Sequence, residues 1–100
     1  MKEQGAGTTM TVGSVTVRYW AAARAAAGVD SDDIAVGRGA TLAQVLDAAR
    51  VLHADRPRLA EVLGVCSVLV GDRPVGSADP AGVELHPGDV VELLPPFAGG

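Results

Sequence analysis

One cysteine and three aromatic residues occur in 100 residues, and each shortage closes off a class of protein. A lone thiol, Cys66, has no partner for an intramolecular disulfide, so the chain is not a bridge-stapled secreted domain, and the usage fits a reducing compartment. With aromatics at 3%, the core must rest on Val, Leu, Ile and Ala. Lysine is scarcer still. Lys2 is the sole example, so polymeric tagging through an internal lysine of the folded part is excluded. Basic residues number 8 against 12 acidic ones, for a net charge of −4. That excludes nucleic acid as the main partner, because phosphate binding needs a basic surface. It is compatible with docking on a basic protein surface and equally with ordinary mild acidity. No stretch approaches the roughly 20 apolar residues of a membrane span. The most apolar segment, residues 20–29, is Ala-rich, broken by Arg24 and too short. Residues 1–13 hold no apolar run suited to a signal peptide. The expected location is the cytoplasm, with neither membrane nor nucleic acid as partner.

What is present reads as one globular domain. Hydrophobic residues make up 48% and charged residues 20%, and the length suits a single modest core rather than an enzyme cleft with its supporting shell. Residues 1–13 read as a loose tail. Residues 14–20 alternate, with Val15, Val17 and Tyr19 on one side and Thr16, Arg18 and Trp20 on the other, which predicts a half-buried strand. Residues 21–27 are Ala-rich and can form a turn or two of helix stopped by Gly28. Residues 31–36 pair back as a second strand, carried by Ile34 and Val36. The clearest helix runs from Thr41 to Leu52. Thr41 and Gln44 have capping-box spacing, and Leu42, Val45, Leu46 and Ala49 form one apolar stripe. Pro57 ends or offsets that region, and residues 58–63 form a short helix. Strands follow over residues 65–70, 73–75 and 90–94, separated by a Gly71-Asp72 turn, a loop over 76–84 and a Pro87-Gly88-Asp89 turn. The order predicts an α+β fold, the ubiquitin-like β-grasp: a mixed sheet of about five strands with one main helix across one face. Domain limits follow as a tail over 1–13, a folded body over 14–94 and an extended tail over 95–100.

The sequence closes on Leu93-Leu94-Pro95-Pro96-Phe97-Ala98-Gly99-Gly100. Pro95 and Pro96 cannot donate to a sheet ladder and favour an extended exit from it. Six extended residues reach on the order of 20 Å, far enough to enter a partner's active site while the body stays outside. Glycines without Cβ can thread a narrow channel. A terminal carboxylate is ionised at neutral pH, with a reference pKa of about 3.3–3.7, and is a poor electrophile until activated, typically as an acyl-adenylate. The chain has no phosphate-binding Gly-rich loop, so the ATP would be handled by a partner enzyme, with no cofactor held stably here.

Three stretches carry a family resemblance: VTVRYWAAARAAAG (15–28), ATLAQVLDAAR (40–50) and HPGDVVELLPPFAGG (86–100). They resemble the MoaD/ThiS sulfur carriers, nearest to the small subunit of molybdopterin synthase, and the likeness covers roughly residues 14–100. The Pro-Pro before Gly-Gly marks the MoaD branch. The resemblance implies that an E1-like adenylating enzyme (MoeB/ThiF-like) activates Gly100, that sulfur transfer makes a Gly100 thiocarboxylate, and that the tail delivers sulfur to a pterin precursor inside a MoaE-like large subunit. Gly99 and Gly100 match the family's terminal pair, and Pro95, Pro96, Phe97 and Ala98 match its tail. Two departures are Ala25 after Arg24, where the family often has Glu, and Val70-Gly71, where it often has Val-Asn.

Alternation in the last strand turns Val91 and Leu93 inward and Val90, Glu92 and Leu94 outward. Leu94, Pro95, Pro96, Phe97 and Ala98, with Trp20 and Leu69 beside them, are the expected partner-binding residues; Trp20 could instead simply cover the sheet. Cys66 lies in an apolar strand without a neighbouring base and reads as a structural thiol rather than a sulfur-transfer nucleophile. His53 and His86 lack metal-ligand spacing and read as surface residues. The alternatives to a molybdopterin carrier are a carrier for cysteine or thiamin synthesis, a ubiquitin-like conjugation modifier, and an interaction module without chemistry.

Overall fold

The computed structural model describes residues 12–96. Strand β1 (Gly13–Tyr19) leads through α1 (Ala21–Ala27) to β2 (Ser31–Val36). Helices α2 (Leu42–Leu52) and α3 (Pro57–Leu63) follow, then β3 (Ser67–Val70), a two-residue β4 (Arg73–Pro74), a 3-10 turn (Pro80–Gly82) and β5 (Val90–Leu94). The sheet order is β2-β1-β5-β3-β4. Its central pair, β1 and β5, is parallel, with Tyr19 opposite Leu93. β2 pairs antiparallel with β1, β3 with β5, and β4 with β3. This is the mixed five-stranded sheet of a ubiquitin-like β-grasp, with α2 as its main helix and the two shorter helices where the Ala-rich run and the segment after Pro57 place them.

The period-two pattern sets the faces. Val15, Val17, Tyr19, Val91 and Leu93 point to one side and are almost fully buried. Ala23, Ala26 and Ala27 of α1, Leu42, Val45 and Leu46 of α2, and Leu59 and Leu63 of α3 join them in one cluster. All three helices therefore cover the same face, and among the described residues no helix covers the other.

Local chemistry explains the helix limits. The Thr41 hydroxyl accepts the Gln44 backbone N–H at 3.3 Å, and the Gln44 side chain accepts the Thr41 N–H at 3.0 Å, completing the capping box. Gly28 ends α1 in the left-handed region, φ 80°, with its N–H bonded to the Arg24 carbonyl at 2.8 Å. A side chain there would also collide with the Arg56 guanidinium, 2.6 Å from where its Cβ would lie.

Several boundaries differ from expectation. Trp20 leaves the strand and caps α1 instead, because Ala21 takes a positive φ of 49° and swings the chain out of the sheet. Pro57 does not end a helix; it opens one, where its missing N–H costs nothing. The third strand begins at Ser67, not Val65, which is bonded to the end of α3 through the Val62 carbonyl and stays exposed. The expected return strand stops at Pro74, and the expected loop holds the 3-10 turn, capped by the Asp79 side chain on the Ala81 N–H at 3.0 Å.

Candidate functional site

β5 positions the root of the tail. Its inward residues anchor it in the core, its outward residues Glu92 and Leu94 are half-buried, and Pro95 and Pro96 leave the sheet exposed. The expected tail residues Phe97, Ala98, Gly99 and Gly100 lie outside the described residues, as do residues 1–11 of the expected N-terminal tail.

Around that root the open face has a definite composition. Register places Arg18, Glu92 and Leu69 in one row across β1, β5 and β3, and Ser67 opposite Leu94. Trp20 folds over the end of that row. Its indole N–H donates to the Glu92 carboxylate at 3.0 Å, the Arg18 guanidinium stands 4.9 Å from its ring centroid, and its backbone N–H bonds the Leu93 carbonyl at 3.1 Å. Trp20, Leu69, Leu94, Pro95 and Pro96, expected to share a docking surface, are thus gathered at one end of the open face. Arg18 and Glu92 belong to the same surface and had no place among the expected site residues. Their alternation with Trp20 and Leu94 was the available signal.

A second polar group lies on the helix side. Tyr19 donates its hydroxyl to the Asp32 carboxylate at 2.8 Å, and the same oxygen lies 2.6 Å from His53 Nε2. The His53 and Asp32 side chains are 12% and 16% exposed, and the Tyr19 and His53 rings meet edge to face at 5.9 Å. His53 is therefore no surface residue. The C-terminal end of α2 brings it against Tyr19 and Asp32, which the topology places beside each other. Burial, then the hydrogen bond and the charge of Asp32, push the Tyr19 phenol well above its ordinary range. His86 is exposed, as expected, 3.8 Å from Glu84 and 3.9 Å from Asp89.

Cys66 is half-buried against the core, and burial pushes its thiol up, which disfavours the thiolate a nucleophile requires. Among the described residues no group of three or more His, Cys, Asp or Glu could hold a metal ion, and no helix is long and apolar enough to cross a membrane. Among the described residues, the end of β5 stands beside an exposed face that carries Arg18, Trp20, Glu92 and Leu94.

The sequence model of the ThiS family matches residues 17–100. A search of curated proteins returns no significant match. Among solved structures, a putative molybdopterin converting factor subunit 1 from Pyrococcus furiosus is 25% identical, with a TM-score of 0.67 over 85% of this chain and 99% of that one. SAMP1 from Haloferax volcanii is 28% identical, with a TM-score of 0.67 over 88% and 100%. A complex of subunits 1 and 2 of the molybdopterin-converting factor from Helicobacter pylori contains a chain 28% identical, with a TM-score of 0.56 over 87% and 99%.

Proposed function

This chain belongs to the ThiS family, and on that premise we propose that it is the sulfur-carrying small subunit of a molybdopterin synthase. The observation that carries the reading is the tail root: β5 ends in an exposed Pro95-Pro96 exit beside the Trp20, Leu69 and Leu94 surface, and Gly99-Gly100 follows four residues on. The Pro-Pro pair and the likeness to molybdopterin converting factors favour this acceptor over cysteine or thiamin synthesis.

The chemistry is assigned to Gly100. Its carboxylate oxygen attacks the α-phosphorus of ATP in an E1-like adenylating enzyme, and pyrophosphate leaves. Hydrosulfide, delivered at the sulfide oxidation level by the partner system, then attacks the acyl carbon and loses its proton to solvent. The C–S bond forms as the bond to AMP breaks, leaving a thiocarboxylate. In a MoaE-like large subunit that sulfur is given to the pterin precursor, and water returns the carboxylate. The body supplies none of these groups. It holds the tail at a fixed place and presents a surface for each partner in turn. The Helicobacter pylori protein, solved as a two-subunit complex, supports a partner of this kind.

Intact mass after co-expression with the adenylating enzyme tests the reading. Replacement of one oxygen by sulfur at Gly100, followed by its loss on mixing with the large subunit and pterin precursor, is the expected result. An unchanged mass overturns it. A second reading, conjugation of Gly100 to a target lysine, is favoured by the likeness to SAMP1, a small archaeal modifier protein; isopeptide-linked adducts in the same experiment would establish it.

A further inference from the structure

The end of β1 and the start of β2 enclose a cleft of about 210 Å³ beside the tail root, lined by Arg18, Trp20, Arg24 and Asp30 among others. We propose, building on the sulfur-carrier reading, that this cleft receives a carboxylate side chain of the adenylating partner, clasped between Arg18 and Arg24.

Position comes first. Trp20 forms one wall, and its backbone is bonded to Leu93, two residues before the Pro95-Pro96 exit. Any enzyme that takes the tail into its active site must cover this ground. Charge comes second. The chain as a whole is acidic at −4, yet two arginines, Arg18 and Arg24, line this one cleft. Among the described residues no carboxylate lies within ion-pair distance of Arg18, and Arg24 has only Asp30, at 3.6 Å with the two side chains 58% and 85% exposed. A pair that long and that wet contributes little, so an incoming carboxylate displaces Asp30 at small cost.

Preorganisation comes third. Arg18 is stacked on Trp20, and Trp20 is itself tied to Glu92, so one arm of the clasp is already held in place. Less side-chain freedom is then lost on binding. A guanidinium presents its donors in a planar fork that fits a carboxylate through two parallel bonds. The occupant is thus an Asp or Glu side chain on the enzyme, and Asp30 is its internal stand-in.

ATP–pyrophosphate exchange by the adenylating enzyme, with the full chain as varied substrate, tests this. Arg24→Glu and Arg18→Gln are expected to raise KM roughly tenfold, with the effect on KM rather than kcat. Asp30→Asn, which removes the competitor, is expected to lower KM. Arg73→Gln, which removes the same charge from β4 on the far side of the sheet, should leave KM where it was. Thermal melts of each variant check that the fold is intact. Unchanged KM values for Arg24→Glu, Arg18→Gln and Asp30→Asn, with normal exchange by the wild type, overturn the clasp and leave the carrier reading standing. Competition by millimolar inorganic phosphate that Arg24→Glu abolishes would reassign the cleft to phosphate and also overturn it. No exchange even with the wild type removes the activation of Gly100, and the clasp with it.

Discussion

Tyr19 is the chain's one tyrosine, and its hydroxyl is committed to Asp32. Its folded pKa lies above the ordinary value near 10. The phenol therefore contributes stability that is fully present below about pH 10 and is lost as pH rises beyond it, while the unfolded chain ionises and the folded one resists. Denaturant midpoints should fall above that pH, and the near-ultraviolet absorbance of phenolate should appear only with unfolding. Tyr19→Phe should cost about 1.5 kcal/mol at neutral pH and flatten the alkaline decline. Because burial also raises the Cys66 thiol, the comparison with Tyr19→Phe isolates the phenol's share. On the open face, Glu92→Ala frees the indole of Trp20 and should weaken partner binding several-fold, whereas Glu92→Gln keeps an acceptor and should restore most of it; binding to the adenylating enzyme by calorimetry reads the difference. Neither contact was legible in the sequence. Tyr19 and Asp32 stand 13 positions apart, Asp32 and His53 21, and Trp20 and Glu92 72. The β1–β2 pairing joins the first, the end of α2 brings in His53 for the second, and the parallel pairing of the first and last strands joins the third.

Elements were more readable where one local signal sufficed. The capping box and apolar stripe of α2 are both contained within a dozen residues, and the helix starts where they place it. Thr41→Ala removes the cap and should cost about 1 kcal/mol. Leu46, 7% exposed in the core cluster, should cost about 2–5 kcal/mol as Leu46→Ala; chemical denaturation measures both. The alternation in β1 and β5 likewise gave their inward faces correctly. Boundaries failed where a neighbour in space decides. Val65 and Cys66 are as β-prone as the residues after them, but their N–H groups are taken by the Val62 carbonyl, so the strand cannot start until Ser67. Pro57 was ambiguous because a proline can close one helix or open the next, and only the turn after His53 settles which.

At the scale of the molecule, the proposed carrier role divides the work between the body and the tail. Every helix packs on one face of the sheet, and β5 is gripped between β1 and β3, so the exit at Pro95 is fixed to the most buried strand pair. Deleting Gly99 and Gly100 should leave the melting temperature unchanged while abolishing sulfur loading; calorimetry and intact mass report the two separately. The exposed face beside the end of β5 was partly legible, since the outward direction of Leu94 follows from strand alternation, whereas the charged cleft near it is assembled from β1, α1 and the approach to β2 and has no linear signature. Trp20 is also the sole tryptophan, set at the rim of that cleft and 36% exposed. The protein thus comes with a built-in optical reporter: its emission should shift in colour and intensity when an enzyme closes over the tail, so capture and release can be followed in real time on unlabelled material.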